Sequence, residues 1–124
     1  MEGGKFYISE DQQVDLGRLL AKARKNQQVW QERKNVVSDK AFFIDVGHEE
    51  LYRLCLADTD VTRVKEEDIN DSVYEIFRMP YSLLIGILTA HYNYSNVKTQ
   101  YMSFYRHPDD FDPDIHILMS FLQL

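Results

Sequence analysis

Residues 83–88 read Leu-Leu-Ile-Gly-Ile-Leu, with Ala90 just beyond, and Pro80 sits where it suits a first helical turn. Wound as a helix to about Tyr92, this segment is apolar nearly all round. Such a helix has no face to give to water and is normally central in a core, so the remaining chain must wrap it. The run is far shorter than the roughly 20 residues that cross a bilayer, so it predicts a core and not a membrane span. Leu84 and Leu88 are accordingly expected to be buried. Gly86 either admits a close neighbour or simply costs about 1 kcal/mol relative to alanine.

The wrapping has to come from the rest of the chain, whose 124 residues are about one domain's worth, and one domain over 1–124 is expected. No repeat, low-complexity block or Pro/Gly/Ser-rich linker divides it. Ser9-Glu10-Asp11-Gln12 has the form of a helix start. Leu16, Leu19, Leu20 and Ala23 follow at helical spacing, and a helix from Glu10 to Lys34 would project unless broken near Asn26 or Asn35. Ala41–Val46 is aromatic and β-branched and predicts a strand ending at Gly47. Leu51, Leu54 and Cys55 predict a short helix over 48–56. Ile69, Val73, Ile76 and Phe77 fall at i, i+4, i+7 and i+8 and predict a second, ending at Met79. Val97–Arg106 alternates and predicts a strand. Asp112-Pro113-Asp114 supplies a cap, a first-turn proline and a first-turn acid, which favours a terminal helix. The expected fold is therefore α+β: a helix-rich domain with about two short strands, all-α being the alternative.

Charge and composition narrow the function. The formal charge is −6, from 14 Lys+Arg against 20 Asp+Glu, which does not suit a general phosphate binder. One cysteine, Cys55, excludes an intramolecular disulfide and fits a reducing compartment. Met1–Ile8 has one lysine and no apolar run, unlike a signal peptide, so a cytoplasmic protein is expected. There is no glycine-rich phosphate loop, no Gly-x-Ser-x-Gly and no Cys-x-x-Cys, so nothing recommends an enzyme, and no cofactor is implied.

Three groups of residues remain. His107–His116 holds two histidines and four aspartates, and Asp110, Asp112 and Asp114 have the 1, 3, 5 spacing of a calcium loop. Position 6 is Ile115 in place of glycine and position 12 is Phe121 in place of glutamate, so no metal site is assigned, and a metal-dependent enzyme using 107–116 is the third reading. Arg18, Lys22 and Lys25 form a basic stripe on the first helix, the basis of a second reading, a nucleic-acid-associated regulator. Leu16–Arg24 resembles the first helix of repressor-type helix-turn-helix domains. The second and recognition helices do not follow, because Phe42–Val46 intervenes, and no family is assigned.

The third group leads. Asp58–Glu75 contains seven acids against Arg63 and Lys65, and Glu66, Glu67 and Asp68 are consecutive, so no helix can bury all three. Tyr92, Tyr94 and Tyr101 flank a polar turn, and tyrosine suits interfaces by joining an apolar face to a polar tip. These residues predict a small acidic protein-binding module: an inhibitor, immunity factor, adaptor or chaperone. Its partner would be another protein with a basic surface; nucleic acid is second, membrane is not expected, and self-association stays open.

Overall fold

The computed structural model describes residues 15–108 and 112–124. Its centre is a five-stranded mixed sheet, which replaces the helix-rich fold with about two strands. The strands are β1 (Ala41–Asp45), β2 (Leu51–Cys55), β3 (Val61–Val64), β4 (Tyr74–Arg78) and β5 (Ser103–His107), in the order β3-β2-β1-β4-β5. The β1–β4 pair is parallel, and β1–β2, β2–β3 and β4–β5 are antiparallel. Among the described residues four α-helices accompany the sheet: α1 (Leu16–Arg33), α2 (Tyr81–Leu88), α3 (Tyr94–Tyr101) and α4 (Pro113–Met119).

The helices lie on one face. Phe42, Ile44, Leu54 and Phe77 of the sheet pack there against Leu20 and Ala23 of α1, Leu84 and Leu88 of α2, and Leu118 and Met119 of α4. The apolar helix is thus as central as its sequence requires: Leu84 is fully buried and Leu88 is 1% exposed. The opposite face carries a smaller core of Ala41, Phe43, Leu51 and Ile76, against which Ile69 packs. Ile69 belongs to residues 65–73, the connection that carries the chain from β3 across the sheet to β4. This strap begins in a single 3-10 turn, Glu66–Asp68. It is fastened where Arg53 donates two hydrogen bonds to Asp71, Nε to Oδ1 at 3.0 Å and a terminal nitrogen to Oδ2 at 2.7 Å. Arg78 donates to Glu66 and Asp45.

The strap explains the two helices that turn out to be strands. Because it covers the second face, β2 and β4 are buried on both sides, and period-2 alternation vanishes from their sequence. Leu51, Leu54 and Cys55 mimic a helical stripe, yet Leu51 packs in the core beneath the strap while Leu54 packs against the helices. Ile76 and Phe77 divide in the same way. β3 is only partly buried, at Val61 and Val64, and too short to signal itself.

Local chemistry sets the remaining boundaries. α1 is capped by Asp15, which accepts from the Arg18 amide, and runs through Asn26 to Arg33, with Asn35 at φ +56° just past its end. The Ser9 start lies outside the described residues. The 97–106 strand is half right: Asn93 caps α3, which takes the first half, and β5 takes the second. Asp112 caps α4, with Pro113 in its first turn.

Candidate functional site

The C-terminal end of β4 draws several surface features to one rim of the sheet. Arg78, the last residue of β4, is ion-paired with Glu66 at 2.9 Å and holds the start of the strap there. Arg78 also pairs in register with Ser103, so Tyr101, two residues earlier, arrives at the same end. Tyr81 opens α2 three residues after Arg78. Glu66, Glu67 and Asp68 are all exposed, and Tyr101 is 59% exposed. Among the described residues Glu67 and Asp68 have no ion pair, so their charges face water.

Tyr81 leads into a groove of about 400 Å³ along α2, lined by Tyr81, Ile85, Gly86, Thr89, His91 and Tyr92. The groove depends on Gly86. The Tyr92 ring rests against its α-carbon, where any β-carbon would overlap the ring. Tyr92 still leaves 48% of itself exposed. The Tyr81 hydroxyl is buried without a hydrogen-bond partner among the described residues, and burial raises its pKa.

Tyr94 belongs elsewhere, which corrects its expected place on a binding surface. It is 1% exposed, with its ring near Phe77 and its hydroxyl 2.7 Å from His116 Nδ1. His116 Nε2 lies 2.7 Å from Glu75 Oε2, and Arg106 Nε lies 3.3 Å from the same oxygen. A carboxylate only accepts, so Nε2 carries the shared proton. Burial, reinforced by the Glu75 charge and opposed by Arg106, pushes the Tyr94 phenol far up, so it keeps its proton. This chain is sealed at its tyrosine end, where no substrate reaches the hydroxyl. Its Glu75 end meets a cavity. Sequence reading missed the chain because its members stand on α3, β4, β5 and α4, far apart along the polypeptide.

The described residues of the 107–116 segment go to separate places. His116 points into the core and His107 lies exposed against Tyr74. Asp112 caps α4 and pairs with Lys40 at 2.6 Å. Asp110 is outside the described residues, and no group of three His, Cys, Asp or Glu side chains suited to a metal occurs among the described ones.

Arg18, Lys22 and Lys25 are exposed on α1, as a basic stripe requires. Arg24 beside them is fully buried. It donates to the Cys55 carbonyl, Gln27 and Gln31, and burial lowers its pKa. Gln31 donates in turn to the Leu56 carbonyl and Gln27 to that of Leu118, which ties α1 to β2 and α4. Among the described residues, no helix is long and apolar enough to cross a membrane.

No family model matches the chain, and no curated protein matches it. A solved structure described as a UbiJ-SCP2 ubiquinone synthesis protein is similar at 11% identity and a TM-score of 0.49, over 86% of this chain and 87% of that one. A likeness of that degree says nothing of what this chain binds.

Proposed function

We propose that the chain is a protein-binding module whose working face is the rim at the C-terminal end of β4. The observation that carries this reading is the convergence of Glu67 and Asp68, without ion pairs among the described residues, with exposed Tyr101 and the Tyr81 end of the α2 groove. Acids steer a basic partner over a Debye length of about 8 Å. Aromatic rings supply contact area once it has arrived. The groove admits an apolar side chain. A module of this kind serves as an inhibitor or adaptor of a protein with a basic surface, in the reducing cytoplasm that the lone Cys55 suits.

The alternative working face is the exposed Arg18, Lys22 and Lys25 stripe, which would meet nucleic acid. Zero-length carbodiimide cross-linking in a lysate of the source cell separates the two. It joins carboxylates to contacting lysines, and mass spectrometry locates the joined residues. Cross-links from Glu67 and Asp68 to lysines of one protein are expected. Cross-links confined to other carboxylates, with the chain instead retained on DNA in a salt-dependent manner, would overturn the reading.

A further inference from the structure

The two edges of the sheet differ. At one, β3 is packed by α1 and carries Arg63, with Lys65 directly after it, features that guard an edge against pairing. At the other, β5 bonds to β4 on its inner side. Among the described residues its backbone makes no hydrogen bond on the outer side. Its five residues include no lysine and no proline. Such an edge offers its N–H and C=O groups to any strand that can lie against it. β5 also presents a face. Ser103, Tyr105 and His107 are exposed, while Phe104 and Arg106 between them are half-buried. Tyr105 lies opposite Ile76, on the side that the strap covers further in. There the strap leaves it open: Tyr105 is 46% exposed and Val73 43%. The Tyr74 ring lies beside Tyr105, with 6.3 Å between ring centres. The sheet thus ends in an aromatic strip.

We propose that β5 is the pairing edge of a two-fold dimer, in which it lies antiparallel to β5 of a second copy with Tyr105 at the centre. The occupant is a second copy because the strand is complementary to itself in that register. Ser103 meets the partner's His107, Phe104 meets the partner's Arg106, and Tyr105 meets the partner's Tyr105. No like charges stand opposite each other. Aromatic rings pair at the centre, and a ring faces a cation on either side, contacts that stabilise a sheet. Centring on Arg106 would set two arginines opposite each other. Centring on Phe104 would leave Arg106 and His107 beyond the paired stretch. The two-fold axis runs along the sheet normal, so it joins two five-stranded sheets into one with both helix layers on the same side. The edge carries none of Glu67, Asp68 and Tyr101, so the proposal stands or falls apart from the protein-binding reading.

The test is sedimentation equilibrium of the full chain from micromolar to millimolar concentration. The parent should show a reversible monomer–dimer equilibrium. Tyr105→Lys, at an exposed position, sets two like charges at the two-fold axis and should weaken dimerisation at least tenfold, with an unchanged circular dichroism spectrum. Tyr105→Phe should retain it. Oxidation reports the register. In the dimer, position 105 faces its own copy at about 4.5–5.5 Å between β-carbons, so Tyr105→Cys should form an interchain disulfide. Ser103→Cys should form one only when mixed with His107→Cys. Cys55 is buried, and the parent under the same oxidation is the control. A parent that stays monomeric throughout the range, or a dimer that Tyr105→Lys leaves intact, would overturn the proposal. So would a disulfide formed by Ser103→Cys alone in place of Tyr105→Cys.

Discussion

The ring of Tyr92 occupies the space that a side chain on residue 86 would need. That contact makes the effect of Gly86→Ala depend on Tyr92. With the ring in place, the new methyl group must displace it, and overpacking of this sort costs about 1–3 kcal/mol. In a Tyr92→Ala background the obstacle is gone, and alanine's helix propensity should stabilise α2 by up to about 1 kcal/mol. Chemical denaturation of the four proteins in this cycle should therefore show a change of sign. The same sign in both backgrounds would mean that the ring does not rest on the glycine. Tyr94→Phe is the second residue-scale case. It removes the buried hydrogen bond between the Tyr94 hydroxyl and His116 Nδ1, at a cost of about 1–3 kcal/mol. Unchanged stability by denaturant titration would show that the Tyr94–His116 bond contributes nothing. At this scale the sequence was partly legible. Leu84 and Leu88 declare their burial because their helix has no polar face. Tyr94 and Arg24 do not, because each is buried through polar partners from other elements: His116 for the tyrosine, and the Cys55 carbonyl with two glutamines for the arginine.

Among the elements, the strap over residues 65–73 has the most consequences. Its closest fastening is the two-pronged Arg53–Asp71 contact, and the hydrogen bond from Arg53 holds the Asp71 carboxyl below its ordinary pKa. A carboxylate with a depressed folded-state pKa contributes stability that is fully present above its unfolded value, about 3.9, and is lost as pH falls through the lower folded value. The difference in stability between the parent and Asp71→Asn should therefore be constant, on the order of 1 kcal/mol, above about pH 5, and should shrink as the solution is acidified below about pH 4. Urea denaturation across that range measures it. A difference that persists unchanged in strong acid would show that the pair is not what fastens the strap. The strap also set the limit of what was legible. Helices with caps of their own, such as α4 behind Asp112-Pro113, could be read locally, as could β1 with its aromatic run. β2 and β4 could not, because the cover on their second face comes from residues whose own position depends on the finished sheet. The apolar spacing of Leu51, Leu54 and Cys55 reflects two buried faces and not one helical stripe.

On the scale of the whole molecule, the chain separates its charges. Arg18, Lys22 and Lys25 face water from α1, while Glu67 and Asp68 face it from the strap that crosses the sheet surface opposite the helices. Such a division gives a partner of either sign a place to approach, and the proposed function takes the acidic one because Tyr101 and Tyr81 stand at that end of the sheet. The acids and two of the three tyrosines could be singled out from sequence as surface residues. Their convergence could not, since it depends on the β4–β5 register and on the Arg78–Glu66 pair. The account predicts that Glu67→Lys with Asp68→Lys slows association with the partner at low ionic strength, an effect that salt suppresses, because the acids steer and do not anchor. It predicts that Tyr101→Ala chiefly speeds dissociation. The most direct test is surface plasmon resonance of the cross-linked partner, once purified, on the parent chain, on Glu67→Lys/Asp68→Lys/Tyr101→Ala and on Arg18→Glu/Lys22→Glu, each first shown to fold. The rim variant should lose at least tenfold in affinity while the α1 variant binds like the parent. The opposite result, binding abolished by the α1 changes and untouched by those on the rim, would contradict the account.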